Sequence, residues 1–459
     1  MTELFKNISL REELAANLSE IGFEKMTPIQ AGCLPTVIDG RDIIGQAKTG
    51  SGKTAAFGLG ILNQLDTTNF ATQALILCPT RELAEQVSEE LRMLARMIKN
   101  VKVLTITGGV GYYHQESSLE HGAHIIVGTP GRVAKLMRTK FIHLDQMKTF
   151  VLDEADRMLD MGFHDEIMGI EKKLPSERQT LLFSATFPED ILELSKDIQK
   201  EAQQIIVDSL HKEGDIEQYF YLLESHKDKN KAVLKILGEH NPERLIIFCK
   251  TKAITDKLAD FLFDNGIHVQ SIHGDLDQNE RRKTLTLFSN RSLSVLTATD
   301  VAARGIDIKD LEAVINYDLP MDPEDYVHRV GRTGRAGSKG LAFSLFVKQE
   351  ESKVYDIQEL VKKDFKIQRL ENVDNFEKYI ASPPMDTIFI SGGKKDKLRP
   401  GDVLGALVKE AGLEPNEVGD ITILPIITYV AIKKEKVEQA IEKLTNGKIK
   451  NRKFRVGLS

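Results

Sequence analysis

The 459-residue chain has no tryptophan, three cysteines and 6% aromatic residues. Cys33, Cys78 and Cys249 form no CxxC pair. They offer neither zinc-ligand spacing nor a disulfide framework, and read as small core residues of a reducing compartment. No apolar run approaches the length of a membrane-spanning helix. Met1 to Leu18 mixes charges with leucines and lacks the apolar core of a secretion signal, so a cytoplasmic protein is expected. Net positive charge is missing too: the balance is −6. That deficit is uneven. Pro383 to Ser459 carries 14 Lys+Arg against 10 Asp+Glu, a basic tail behind an acidic body. Such asymmetry suits a polyanion-binding module.

What is present, 41% hydrophobic and 28% charged residues, is the composition of a soluble globular protein, and 459 residues suit two to four domains. Its organising stretch is Ala47-Lys48-Thr49-Gly50-Ser51-Gly52-Lys53-Thr54. The apolar run Asp42–Gln46 before it reads as a buried strand, and Ala55–Leu65 after it has helical spacing. Glycines let backbone N–H groups close around phosphate oxygens, and the helix start adds partial positive charge. Lys53 can reach the outer phosphates of a nucleotide and the Thr54 hydroxyl can ligand Mg²⁺. The general pattern opens with Gly; this loop opens with Ala47. Upstream, Phe23 could stack on a base, and the Gln30 amide matches the donor/acceptor edge of adenine.

Beyond the loop, strand-like runs alternate with helical patterns: Ala74–Cys78, Val101–Thr105, Ile125–Val127, Thr149–Leu152 and Thr180–Phe183. Alternation predicts a parallel sheet flanked by helices, with ligands at the carboxyl ends of the strands. Asp153-Glu154-Ala155-Asp156 follows such a run, where Asp153 can support a metal and Glu154 can act on a water. Ser184 and Thr186 follow the next. After a looser stretch comes a second α/β run with strands Leu245–Cys249 and Ser294–Ala298 and no phosphate loop. It carries Asp300–Asp307 and His328–Arg335, the latter with three arginines in eight residues. Such arginines can complete a phosphate site built elsewhere. The last 75 residues read β-α-β-β-α-β, the order of a small RNA-recognition sheet. Phe389 and Tyr429 are its only candidates for base stacking.

Assembled, these residues resemble the DEAD-box RNA helicases. Phe23–Gln30, with Phe5 upstream, is similar to the family's adenine-reading segment, and Ala is the usual first residue of its phosphate loop. Pro79-Thr80-Arg81-Glu82-Leu83-Ala84, Gly108-Gly109 and Thr129-Pro130-Gly131-Arg132 resemble its RNA-contacting motifs. Asp153–Asp156 gives the family its name. Gln278 with Arg281, Ala298–Asp307 and His328–Arg335 resemble the second-domain motifs. Gly392–Lys395, Arg399–Leu407 and Gly447–Lys450 are similar to the DbpA/YxiN type.

The resemblance implies two RecA-like parallel-sheet domains in tandem, 1–207 and 218–367, followed by a small α+β RRM-like domain, 385–459. Linkers 208–217 and 368–384 join them. It implies an RNA-stimulated ATPase, using ATP and Mg²⁺, that opens short RNA duplexes locally. The implied setting is assembly of the large (50S) ribosomal subunit through 23S ribosomal RNA, with the chain a monomer. An ATP-switched RNA clamp or RNA chaperone without productive unwinding is the alternative. Lys53, Asp153, Glu154, Arg332 and Arg335 would be catalytic, with Thr54 and Asp153 on the metal. Phe5, Phe23, Gln30, Ala47–Thr54, Gly305 and Asp307 would hold ATP. RNA contacts would come from Pro79, Thr80, Arg81, Gly109, Thr129, Pro130, Gly131, Arg132, Thr299, Asp300 and Arg304. In the basic tail they would come from Lys394, Lys395, Arg399, Lys448, Lys450, Arg452 and Lys453. Ser184, Thr186 and His328 would couple the two activities.

Overall fold

The computed structural model describes residues 3–47, 50–109, 111–139, 141–207, 216–303, 311–334, 339–370 and 377–459. Lys48, Thr49, Arg304, Gly305, Asp307 and Arg335, and linker positions 208–215, lie outside the described residues. The chain divides into two compact units, with the division near Leu210.

In the first unit, seven strands form one parallel sheet: β1 (Ile43–Gln46), β2 (Ala74–Leu77), β3 (Val103–Ile106), β4 (Ile125–Gly128), β5 (Thr149–Leu152), β6 (Gln179–Ser184) and β7 (Gln203–Ile206). Their order is β3-β4-β2-β5-β6-β1-β7. β2, β4, β5 and β6 are buried along their whole length. Helices cover both faces, so these strands read as continuous apolar runs rather than alternating ones. Alternate residues still go to opposite cores: Ala74 and Ile76 to one, Leu75 and Leu77 to the other.

The second unit opens with an equivalent sheet: β8 (Ile216–Leu223), β9 (Leu245–Cys249), β10 (Val269–Ile272), β11 (Val295–Thr299), β12 (Ala313–Asn316), β13 (Gly340–Val347) and β14 (Ile367–Arg369). Its order, β10-β11-β9-β12-β13-β8-β14, repeats the first sheet strand for strand. Sequence periodicity picks out neither β7 nor β14, each an edge strand that is short and largely exposed. It also passes over β13, an eight-residue apolar run as long as two helical turns.

The unit closes with a four-stranded antiparallel sheet of β15 (Met385–Ile390), β16 (Val418–Ile423), β17 (Thr428–Lys433) and β18 (Val456–Leu458), ordered β16-β17-β15-β18. Helices Pro400–Lys409 and Val437–Asn446 pack against it around Ile388, Ile390, Leu407, Val430, Ile432 and Leu444. This domain is seamed to the preceding sheet domain. The Asn290 amide donates to Thr387 Oγ1 at 2.9 Å, and the Ser292 and Thr387 hydroxyls are 2.7 Å apart. Upstream, Asn241 Oδ1 accepts from the Ile380 and Ala381 amides. The Tyr379 hydroxyl donates to the Pro242 carbonyl at 2.6 Å. Among the described residues, no helix is long and apolar enough to cross a membrane.

Candidate functional site

The carboxyl edge of the first sheet divides into two territories. Neighbours β5, β6 and β1 carry one. Helix Lys53–Gln64 starts directly after Gly52, whose φ of 92° is the left-handed region that glycine tolerates. A Cβ on Gly52 would come within 2.4 Å of Gln30 Nε2. Gln30 itself is buried, and its amide ties two elements together. It accepts from the Thr27 N–H at 2.9 Å in a capping box, and donates to the Gly52 carbonyl at 3.1 Å. One amide hydrogen and one lone pair remain for a base. Phe23 is half-buried, and Phe5 lies buried behind it, the two rings stacked at 6.2 Å. Phe5 therefore backs the aromatic surface rather than presenting one.

Lys53 Nζ faces Asp153 Oδ1 at 3.9 Å, both side chains buried. Among the described residues neither atom has a hydrogen-bond partner, and neither does the buried Ser51 hydroxyl. Leaving such groups unmatched costs about 1–3 kcal/mol each, more when charged. A cation-bound polyphosphate matches all three, since the ammonium and hydroxyl donate to phosphate and the carboxylate meets the cation. Burial pushes the Asp153 carboxyl up to about 6; Lys53 pulls the other way and Glu154 adds to the rise. Glu154, also buried, has φ 54° and ψ 54° at the N-cap of helix Ala155–Asp160. A non-glycine residue held there stores on the order of 1 kcal/mol, and such residues cluster at functional sites. Asp156, which the sequence analysis gave no role, takes the Ala185 amide (2.9 Å), the Thr186 amide (3.2 Å) and the Thr186 hydroxyl (3.4 Å) on one carboxylate oxygen. Ser184 Oγ donates to the Thr186 carbonyl at 2.6 Å. The acidic segment and the segment after β6 are thus one hydrogen-bonded piece. All three cysteines are buried, and burial raises their thiols, Cys33 to about 12.

Neighbours β3, β4 and β2 carry the second territory. Pro79 and Thr80 follow β2, and Thr80 Oγ1 accepts from the Leu83 N–H, capping helix Arg81–Leu94. The exposed Arg81 lies against Gly108, where a Cβ would meet its guanidinium at 2.9 Å. Gly109 follows β3. Thr129, Pro130 and Gly131 open helix Pro130–Met137 after β4, and Arg132 donates to Gln115 Oε1 at 3.2 Å. Three segments distant in sequence therefore share one edge.

On the second sheet, Arg329 is the hub. Its guanidinium pairs both Asp300 oxygens at 2.6 and 2.7 Å, donates to Asn316 Oδ1 and the Asp318 carbonyl, and lies over the Phe248 ring. The sequence analysis gave Arg329 no role, although it sits within the arginine run. Asp300, expected to face RNA, has both carboxylate oxygens on Arg329. Thr299 ends β11. His328 lies in the last turn of helix Pro323–Val330, and the buried Arg332 lies just beyond it.

In the C-terminal domain two basic segments distant in sequence converge. Phe454 packs on Gly392, and the Arg455 amide donates to Ser391 Oγ at 2.9 Å. Lys450 Nζ donates to the Lys397 carbonyl and meets Asp402 at 3.3 Å, while Arg452 lies 3.9 Å from Asp396. Lys394, Lys395, Arg399, Lys448, Lys450, Arg452 and Lys453 are all exposed along this ridge. Tyr429 is buried and so is no stacking platform; Phe389 opposite it is half-buried beneath Arg455.

A phosphate loop and a buried acid pair on the first of two parallel sheets of one strand order define two RecA-like domains, with a nucleoside-triphosphatase site on the first. The comparisons agree. The DEAD/DEAH box helicase family matches residues 27–194, the helicase conserved C-terminal domain 228–337, and the DbpA RNA binding domain 387–458. ATP-dependent RNA helicase DbpA of Escherichia coli is 47% identical over 96% of both chains; the Bacillus subtilis protein of that name is 35% identical over 98% of both. The solved structure of S. cerevisiae Dbp5 bound to RNA and ADP BeF3 is similar over 80% of this chain and 95% of that one, with TM-score 0.73 and 34% identity. The chain belongs to the DEAD-box ATP-dependent RNA helicases of the DbpA type.

Proposed function

We propose that this helicase acts in assembly of the large (50S) ribosomal subunit, with the C-terminal domain selecting sites on 23S ribosomal RNA. The carrying observation is the basic ridge where residues 391–399 and 448–455 meet, on a domain whose strand β15 is engaged at Thr387. Phosphate contacts from Arg81 and Arg132 are blind to sequence. Double-stranded RNA hides its base edges, so choice of site needs a separate reader.

In the ATP site, Lys53 holds the outer phosphates and Glu154 orients or deprotonates the attacking water. Thr54 and Asp153 would hold Mg²⁺, which neutralises charge on the phosphates. Arg332 and Arg335 supply positive charge to the phosphate in transfer. Asp156 keeps Ser184 and Thr186 in register with the acid pair, so a shift in one segment reaches the other.

The test compares ATPase stimulation by 23S fragments and by generic RNA. Changing Lys394, Lys395 and Lys453 together to Glu should remove the preference for 23S fragments and leave stimulation by saturating generic RNA. Retained preference would reject the assignment to this ridge. A chain with no preference before mutation would reject ribosomal RNA as the target.

A further inference from the structure

The order β5-β6-β1 sets the segment just past β6 between the acidic segment on one side and the mouth of the phosphate loop on the other. On the acidic side, Asp156 takes the Ala185 and Thr186 amides. On the other side, the Ala47 amide donates to the Ser184 carbonyl at 3.0 Å, and Gln46 Nε2 donates to the Ala185 carbonyl at 3.2 Å. A trans peptide unit points its C=O and N–H in opposite directions. The 184–185 and 185–186 units therefore each span the gap, with the carbonyl held by residues 46–47 and the N–H by Asp156. Ser184 Oγ takes up the Thr186 carbonyl, so every backbone polar group from the Ser184 carbonyl to the Thr186 carbonyl is engaged.

The two links from the phosphate-loop side differ in kind. The Ala47 amide extends the β1–β6 ladder one step beyond the pairing of Gln46 with Ser184, and any residue except proline would supply it. The Gln46 link depends on the side chain, which must be a donor of about that length. Gln46 is half-buried, and its backbone is fixed from the far side, where its carbonyl accepts the Val207 amide at 3.1 Å.

We infer that Gln46 is a positioning residue for the coupling of ATP to RNA: it fixes the Ala185 carbonyl, so that the Ser184–Thr186 segment follows the phosphate loop as well as the acidic segment. This rests on the reading that Ser184 and Thr186 couple the two activities. Without Gln46, the 185–186 unit is tied to Asp156 alone and can turn about that bond. With it, a shift at the phosphate loop reaches the unit that presents Thr186. The role asks for no contact with the nucleotide.

Binding of a non-hydrolysable ATP analogue to the full chain, with and without saturating single-stranded RNA, gives a coupling factor as the ratio of the two affinities. Gln46→Leu keeps bulk and loses the donor. It should lower the factor about 2- to 10-fold, the range one neutral hydrogen bond covers, and leave affinity without RNA within about twofold. Gln46→Glu, of the same size, sets a carboxylate oxygen against the carbonyl and should lower the factor at least as far. Gln46→Arg can still donate and should keep it. An unchanged factor in the Leu and Glu variants, or a fall in the Arg variant equal to that in Leu, would overturn the inference. So would loss of analogue affinity without RNA, which would make Gln46 part of the nucleotide site. Ser184→Ala separates the layers. If it too leaves the factor intact, the coupling role of that segment fails; if it lowers the factor while Gln46→Leu does not, only this inference fails.

Discussion

Two sheets with one strand order put the same pair of residue types in the same place and use them oppositely. In each, a strand leads through a loop into a 12-residue helix that begins with lysine, Lys53 after β1 and Lys229 after β8. In each, that lysine faces an acid just past the strand two places away, Asp153 after β5 and Asp318 after β12. In the first sheet the pair stands at 3.9 Å with unmatched atoms on both sides. In the second it has closed. Lys229 donates to Asp318 at 2.8 Å, lies 3.6 Å from Glu350 and sits over the Tyr317 ring, while Asp318 also accepts the Lys250 amide at 2.9 Å. A satisfied pair stabilises a fold and has nothing left to offer a ligand. An unsatisfied pair weakens the fold until a ligand completes it. At this position the two sheets differ less in residue type than in whether the charges have already found partners.

Breaking each pair should therefore do different damage. The largest effect is expected in the first sheet, where Glu154→Gln should retain ATP binding and lower RNA-stimulated turnover about 10²- to 10⁴-fold; steady-state phosphate release with RNA in excess measures it, and full turnover removes Glu154 from the chemistry. In the second sheet, Lys229→Ala leaves two acids facing a buried gap and should lower unfolding free energy by about 3–5 kcal/mol. Urea unfolding reads this out, and Lys53→Ala run alongside should lose far less. Equal losses would erase the distinction drawn above.

A smaller effect follows from Asp153. Its carboxyl is raised from 3.8 to about 6, so the folded chain binds a proton that the unfolded chain releases. Its contribution to stability is full below the unfolded value and lost as pH rises through about 6. On the proposed assignment of Asp153 to the nucleotide's cation, that cation competes with the proton. Its affinity should therefore fall up to tenfold per pH unit below about 6, and the rise in Tm on adding Mg²⁺ and ATP should shrink from pH 7.5 to pH 5. A flat profile would show that Asp153 is already ionised in the ligand-free chain. Smallest is a cap that both sheets share: Thr80 and Thr251 each accept the N–H three residues on, so Thr251→Ala should cost about 1 kcal/mol, checked by thermal unfolding.

Much of this molecule is legible in the chain itself. Buried parallel strands announce themselves as apolar runs, and Ala47–Thr54 and Asp153–Asp156 specify both a turn and a chemistry within eight residues. The edge strands β7 and β14 are not legible, because a short exposed strand has no apolar signature. Nor is the role of Asp300, a polar residue after a strand whose carboxylate goes to Arg329, 29 positions away.

The sequence alone determined the class of fold, the nucleotide loop, the acidic segment and the kinship to RNA helicases, since each is written in residues close enough to act through their own backbone. Only the tertiary structure decided which charges are spent and which are held ready. Lys229 meets Asp318 across 89 positions, Thr387 meets Asn290 across 97, and the two basic segments meet through contacts as long-range as Arg455 to Ser391. A buried charge is stabilised by whatever the fold brings to it, and local spacing carries no record of that partner.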